Sequence, residues 1–164
     1  MTAFVSRFKL GLLVVLCLVA VSWTGVARAA DSFFQLDGVQ GESRAAGHQN
    51  WMTVKSFSLV ATPGNPSTDL VVGLASDKSL TKLLGAMWHG NSNYQHGALD
   101  VVLAGNGPGG TTMHFQFTGL QIRGVHLSQS TGGEPTLQVI FAYSRIEISY
   151  KSASATAQDS WVVK

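Results

Sequence analysis

Alternation of apolar and polar residues, broken at short intervals by glycine and proline, constrains this chain most strongly. Residues 112–117 and 137–143 carry apolar side chains at every second position. Because successive side chains of a strand point to opposite faces of the sheet, this period predicts half-buried β-strands. The apolar positions shift by one residue at Gly119, which indicates a bulge or a sharp bend there, and they shift again near Ser144.

The other strands predicted from this signal are shorter. Residues 151–160 are small and polar, and we expect a mobile tail or loop there, followed by a last edge strand at residues 161–163. Turn segments rich in glycine, proline and serine separate about seven predicted strands in one domain. This pattern is typical of a small antiparallel β-barrel or sandwich. The remaining predicted strands are residues 33–36, 51–61, 70–75, 98–103 and 146–150.

One segment has the period of a helix instead. Its apolar residues recur three and four positions apart, which places them on one face. Asp77 or Ser79 is in position to cap its first N–H groups, and Gly90 follows its end. Lys78 and Lys82 lie off the apolar face, so we expect the helix to pack with that face on the sheet rather than to bind a partner. The apolar residues are Leu80, Leu83, Leu84, Met87 and Trp88.

The first 29 residues have the composition of a secretory signal peptide. Arg7 and Lys9 precede an apolar run at residues 10–21, and Ala27-Arg28-Ala29 provides the small residues that a signal peptidase reads. The apolar run is shorter than the roughly 20 residues that a membrane-spanning helix needs. We therefore expect a single domain at residues 30–164, exported to the periplasm or the extracellular space, with no stable membrane insertion after cleavage.

The leader also accounts for the basic character of the chain. It holds three of the 11 lysines and arginines and none of the 9 aspartates and glutamates, so the rest of the chain carries eight basic and nine acidic side chains. No basic patch is left for nucleic acid. The only cysteine, Cys17, lies in the leader, so the exported part is expected to fold without disulfide bonds.

A glycine-rich segment at residues 105–110 matches the sequence pattern of a dinucleotide-binding motif, G-x-G-x-x-G. That motif binds pyrophosphate only between a strand and a helix, because the N–H groups of the helix meet the phosphates. Here a predicted strand follows at once, Pro108 interrupts the turn and no lysine follows. We interpret the segment as a hairpin turn and expect no cofactor.

The histidines form no recognisable metal or catalytic motif. Neither H-x-H nor H-E-x-x-H occurs, although His89 and His96 flank a loop and are the pair best placed to converge. No G-x-S-x-G elbow is present, and the acidic residues are scattered. We predict no catalytic, cofactor-binding or metal site, with a small hydrolase built from distant residues as an alternative. The five histidines are His48, His89, His96, His114 and His126.

Several segments also show a familiar order and spacing. They are residues 34–43 (FQLDGVQGES), 48–51, 54–58, 77–87, 98–103, 115–122, Val125, 128–133, 137–142 (LQVIFA) and 146–150 (IEISY). Together they cover nearly all of residues 31–150. In this order they resemble the haemolysin-coregulated protein (Hcp) family, the tube subunits of type VI secretion systems.

The resemblance implies a β-barrel with one flanking helix. It also implies self-association into six-membered rings, which stack into a tube that carries cargo, with secretion-apparatus components or cargo effectors as further partners and no catalysis. Ring-interface and lumen residues are not assigned. A second hypothesis is an exported, stand-alone β-barrel binding module that does not form rings. The short connection at residues 62–68 favours that second hypothesis.

The leader gives a direct prediction. In a bacterial host, the exported protein should begin at Ala30, because signal peptidase cuts after the small residue that ends the A-x-A site. N-terminal sequencing or intact mass of the exported protein measures this. An intact Met1 on the mature protein would contradict the export hypothesis.

Overall fold

The computed structural model describes residues 31–59, 69–103, 112–152 and 155–162. Every described strand belongs to one antiparallel sheet. The predicted leader and the segments 62–68 and 105–110 lie outside the described residues. In chain order the elements are β1 (Asp31–Leu36), β2 (Met52–Leu59), β3 (Asp69–Ala75), α1 (Ser79–His89), β4 (Asn93–Val102), β5 (Thr112–Ser128), β6 (Thr136–Ala142), β7 (Arg145–Lys151) and β8 (Thr156–Val162).

Six of the strands close into a barrel. Their order is β4-β1-β2-β3-β6-β5, and β5 pairs back with β4. The other two strands extend the sheet from β5, with β7 paired to β5 and β8 paired to β7. The prediction of a mainly β, small antiparallel barrel with one flanking helix is therefore confirmed.

The 17-residue strand β5 organises this arrangement. Strands β6 and β7 lie end to end along it, from Ser128 opposite Thr136 to Thr112 opposite Lys151. The junction of β6 and β7 is opposite Gly119, a residue with a φ of 64°. There Ser144 donates two hydrogen bonds to the Thr118 carbonyl, from its backbone N–H (3.0 Å) and from its hydroxyl (2.9 Å).

The two predicted one-residue shifts of the apolar positions, at Gly119 and near Ser144, are confirmed. They lie opposite each other, and the bend of β5 at Gly119 is called the kink below. Before the kink Phe115 and Phe117 point into the core, and after it Leu120 and Ile122 do. A separate register shift follows between Ile122 and Gly124. The kink thus keeps apolar side chains inside the barrel while β5 changes its partner from β7 to β6.

The barrel interior is filled by side chains from all six strands. Phe34, Phe117 and Phe141 are almost fully buried, and the rings of Phe34 and Phe141 are 5.4 Å apart. A fully buried apolar side chain contributes roughly 1.5–3 kcal/mol through removal from water. The largest of the other fully buried side chains are Leu36, Met52, Leu70, Val72, Leu74, Leu83, Leu99, Leu120 and Leu137.

The predicted helix is confirmed as α1; its N-cap residue is Lys78, and of the two predicted capping residues Asp77 binds the first N–H group. The Asp77 carboxylate accepts a hydrogen bond from the Ser79 N–H at 2.8 Å, and Gly90 ends the helix with a φ of 72°. The side chains buried against the barrel are those of Ser79, Leu83 and Ala86. Because a helix turns by about 100° per residue, the three side chains lie within about 60° of one another on one side of the helix, with Ser79 between the other two.

The expectation that the whole apolar face of α1 packs on the barrel is wrong for its last turn. Trp88 is 82% exposed and Met87 is 37% exposed. Trp88 lies on nearly the opposite side of the helix from these buried side chains, since it is two residues beyond Ala86. With Leu84 and with Val125 of β5, these two side chains line a shallow depression of about 330 Å³.

The expectation of a mobile tail at residues 151–160 is also wrong. Strand β8 begins at Thr156 and pairs with β7 over seven residues, from Lys151 opposite Thr156 to Arg145 opposite Val162. The described part of the chain therefore has eight strands rather than about seven. Backbone hydrogen bonds hold β8, and its described side chains are exposed, so no apolar alternation marks it in the sequence.

The kink predicts opposite effects for two glycine-to-alanine substitutions. Gly119→Ala should lower the free energy of unfolding by about 1–3 kcal/mol, because a Cβ at positive φ is strained and would also meet the Ser144 hydroxyl. Gly85→Ala, the control within α1, meets no atom within 4 Å and should raise it by about 0.5–1 kcal/mol. Urea unfolding measures both. Equal midpoints for the two variants would contradict the strained kink.

Candidate functional site

A carboxylate held between two imidazoles is the densest polar cluster on the outer face of the barrel. The His48 Nε2 atom lies 2.7 Å from one Asp100 oxygen, and the His114 Nδ1 atom is hydrogen-bonded to the other. The side chains of His48 and Asp100 are 14% and 20% exposed, and that of His114 is 37% exposed. Both carboxylate oxygens therefore have a donor, and water reaches the cluster mainly from the His114 side.

The strand register explains how the cluster forms. Asp100 on β4 is directly opposite Phe33 on β1 and His114 on β5, so the three side chains form a row on one face of the sheet. His48 comes from the loop between β1 and β2. Its ring stacks on Phe33 at 4.4 Å and meets the edge of Trp51 at 4.9 Å. The Asp100 carboxylate thus fastens this loop over Phe33, whose side chain is buried.

The chemistry of the cluster is that of a structural clamp. A neutral imidazole donates one N–H, so both contacts form without any charged histidine if each ring has the matching tautomer. No hydroxyl or thiol is hydrogen-bonded to either imidazole among the described residues. Within the same ranges, no group of three or more histidine, cysteine, aspartate or glutamate side chains is arranged to hold a metal ion.

The pair that seemed best placed to converge, His89 and His96, lies in different places. His89 lines a depression of about 610 Å³ at the end of α1, and His96 lines a separate one of about 320 Å³ beside Phe117 and Glu147. The structure brings together His48 and His114 instead, through Asp100. Simple motif spacing misses them because 52 and 14 residues separate them from Asp100.

A wide polar depression adjoins the turn at Asp37 and Gly38. It measures about 650 Å³, and Trp51, Lys78 and Lys82 are among its lining residues. Neither lysine ammonium forms an ion pair with any described residue. The Asp37 carboxylate is already engaged, since it accepts the His96 N–H at 3.0 Å. With two lysines and one aspartate among its lining residues, this depression has a net positive charge beside an aromatic ring.

Two tyrosines have shifted acidity. Burial raises the pKa of Tyr94 above its ordinary value of 10.0. Burial raises the pKa of Tyr143 as well, and the Asp69 carboxylate adds to that effect. Both phenols stay protonated at neutral pH, so they act as hydrogen-bond donors and apolar rings rather than as bases. The Tyr143 ring, 5.2 Å from that of Phe117, packs at the junction of β6 and β7.

Large apolar side chains are exposed at six positions in the described residues. Three of them, Met87, Trp88 and Leu127, lie on α1 and the end of β5, and two, Tyr150 and Val162, lie on β7 and β8. The sixth is Phe57 on β2. Among the described residues, no helix has the length and hydrophobicity of a bilayer-spanning segment.

The clamp predicts a specific effect of removing its carboxylate. Asp100→Ala should lower the free energy of unfolding by about 1–2 kcal/mol, because two imidazole donors lose their acceptor. Hydrogen exchange should also become faster at the Ser43, Asn50 and Trp51 amides, which hold the His48 loop. Asp31→Ala, at an exposed position on β1, is the control and should change stability by less than about 0.5 kcal/mol. Unchanged exchange in the Asp100 variant would show that the carboxylate does not fasten the loop.

The fold is shared with solved proteins. The crystal structure of Hcp1 from Salmonella typhimurium matches with a TM-score of 0.74 and 23% identity, over 82% of this chain and 95% of that chain. A type VI secretion system effector from Yersinia pestis matches with a TM-score of 0.70 and 22% identity, over 81% of this chain and 100% of that chain. The secreted protein Hcp3 from Pseudomonas aeruginosa matches with a TM-score of 0.63 and 15% identity, over 81% and 99%.

Sequence comparison reaches the family directly. No curated protein matches the chain. Residues 33–150, which run from β1 to β7 and include the whole barrel and its helix, match the family described as "Type VI secretion system effector, Hcp". That segment is well over half of the 164 residues. The chain belongs to the Hcp family of type VI secretion system effectors.

Proposed function

We propose that this chain is a structural subunit that assembles into six-membered rings, from which a secretion tube is built. The observation that carries the proposal is the family match over residues 33–150, which covers every strand of the closed barrel and the helix beside it. The ring and the tube are what the resemblance to the tube subunits implies. Cargo effectors or components of a secretion apparatus are the further partners that it implies.

The distribution of exposed apolar side chains supports self-association. Trp88, Met87 and Leu127 stand in water at one end of β5, although the barrel core is well filled. Contiguous exposed apolar surface on a small protein marks an interaction site more often than an accident of packing.

The proposed role includes no catalysis. The His48–Asp100–His114 cluster has both carboxylate oxygens engaged and fastens a loop, which is a structural task. The two tyrosines with shifted pKa stay protonated. We also propose that the chain is exported through its leader before it assembles, so that rings form in the periplasm or outside the cell.

A second candidate function is a binding module that remains a monomer. The depression of about 650 Å³ beside Trp51, Lys78 and Lys82 favours it, because an aromatic ring and two ammonium groups that form no ion pair with a described residue suit a small anionic ligand. This function would need the barrel but no second copy of the chain. The oligomeric state separates the two candidates.

The ring predicts the mass of the purified protein. Light scattering over a concentration series should show a stable species at six times the mass of the chain, because head-to-tail contacts that close leave no unsatisfied surface. Dilution should dissociate it without an accumulated dimer. A monomer at every concentration would contradict the ring and favour the binding module.

A further inference from the structure

Strand β8 and the end of β5 each have an open edge within the described part of the chain, as does the end of β2, Ser56–Leu59, which pairs only with β3. Strand β8, seven residues long, pairs only with β7. Of the last six residues of β5, Arg123–Ser128, the five from Gly124 to Ser128 pair only with β6, and Arg123 is the unpaired residue at the register shift. On the other side of β5, the pairing with β4 stops at Gln121, and the Ile122 N–H makes one last bond to the Ser92 carbonyl at 2.8 Å. An open edge has unpaired N–H and C=O groups that can bind another strand.

The open edges of β8 and β5 lie at opposite ends of β5. Strand β8 is carried on β7, which pairs with residues Thr112–Thr118, the half of β5 before the kink. The other open edge belongs to the half after the kink. Because the two edges have different sequences, pairing between them joins one copy to the next head to tail. Contacts of this type repeat with a fixed rotation and close into a ring when the rotation allows.

Exposed apolar side chains accompany both edges. Val125, on the open part of β5, lines the same depression as Leu84, Met87 and Trp88 of α1. Tyr150 and Val162 are 36% and 65% exposed on the β7–β8 hairpin. Five of the six large apolar side chains that are exposed in the described residues thus lie on the hairpin or around the open end of β5. Fully buried centres of protein interfaces are more apolar than the surrounding surface, so this distribution favours a contact between these regions.

The charges at the two edges are complementary. Arg123, at the register shift of β5, is exposed and forms no ion pair with a described residue. Asp159 on β8 is exposed, also lacks an ion pair there, and accepts a hydrogen bond only from the Ser160 N–H at 2.8 Å. By contrast, the other arginine on these strands, Arg145, is already paired with Glu147 at 2.8 Å. Opposite charges at the rim of an interface select the correct partner and register.

We propose that β8 of one copy adds as a strand to the open β5 edge, Arg123–Ser128, of a second copy of this chain. The contact covers Trp88 and Met87 of the second copy and brings Asp159 of one copy to Arg123 of the other. Main-chain hydrogen bonds between the added strands supply affinity, and side chains supply specificity, as in other cases of strand addition. The inference rests on the proposed ring and names the surfaces that build it.

A protective role is the competing explanation of the same features. Monomeric β proteins also place charges and bulges on open edges, which keeps them from pairing with other chains. Arg123 at a register shift fits that description as well as the proposed one. The two explanations differ in the effect of reversing the charges, because a protective charge has no partner to lose.

A charge exchange tests the proposal. Arg123→Asp and Asp159→Arg alone should each weaken association about tenfold or more, because each places like charges together at the contact. The double variant R123D/D159R should regain the wild-type mass in light scattering. Lys55→Asp, at an exposed position on β2, is the control and should leave the mass unchanged. Circular dichroism of each variant confirms that the barrel is folded.

Hydrogen exchange provides a measurement that needs no variant. Amides of β8 and of Arg123–Ser128 should exchange more slowly in the ring than in the diluted monomer, since the added strand protects them. Rings that form with these amides unprotected, or with single charge variants of full mass, would overturn the proposed surfaces and leave the ring itself standing. A wild-type monomer at every concentration would overturn both.

Discussion

The kink at Gly119 and Ser144 is the constraint on which the rest of the fold depends. It lets one strand, β5, keep β7 beside its first half and β6 beside its second half, while β4 pairs across the kink as far as Gln121. The barrel closes through β4 and β6. Because β7 is displaced from the barrel at the kink, it carries β8 outward as an extension of the sheet. Closure of the barrel and exposure of the two edges are therefore consequences of one bend.

Much of this fold could be predicted from the sequence, because the spacing of apolar residues along a strand or helix indicates which side chains are buried. The alternation in β5 and β6, both parity shifts and the period of α1 all reflect side chains that meet the core. Strand β8 has no such signal, since backbone pairing alone holds it and its described side chains face water. Trp88 was predicted to pack on the barrel although it is exposed, and the reason is related. An apolar stripe that faces a partner has the same spacing as one that faces the core, and only the position of Leu83 on the barrel separates them.

The candidate site, too, could be predicted from the sequence only in part. The register of β4 and β5 places Asp100 opposite His114, so that half of the cluster follows from strand pairing and was within reach of the sequence. His48 was not, because it lies in an irregular loop whose path is set by stacking on Phe33 rather than by any period. The lysines of the polar depression were recognised as lying off the apolar face of α1, but their common depression with Trp51 depends on that same loop.

The filled interior decides where function is located. Phe34, Phe117 and Phe141 are almost fully buried in the core, which leaves the outer surface for ligand binding or assembly. Strands β1 and β3 have a neighbour on both sides, whereas the end of β2, Ser56–Leu59, pairs only with β3. The outward extension of β8 and the overhang of β5 beyond β4 are the open edges with more than one exposed large apolar side chain beside them. Helix α1 joins these roles: Leu83 closes the core on one side of the helix, and Trp88 faces outward beside the open β5 edge on the other. A single helix thus couples the stability of the barrel to the surface through which the next copy is expected to bind.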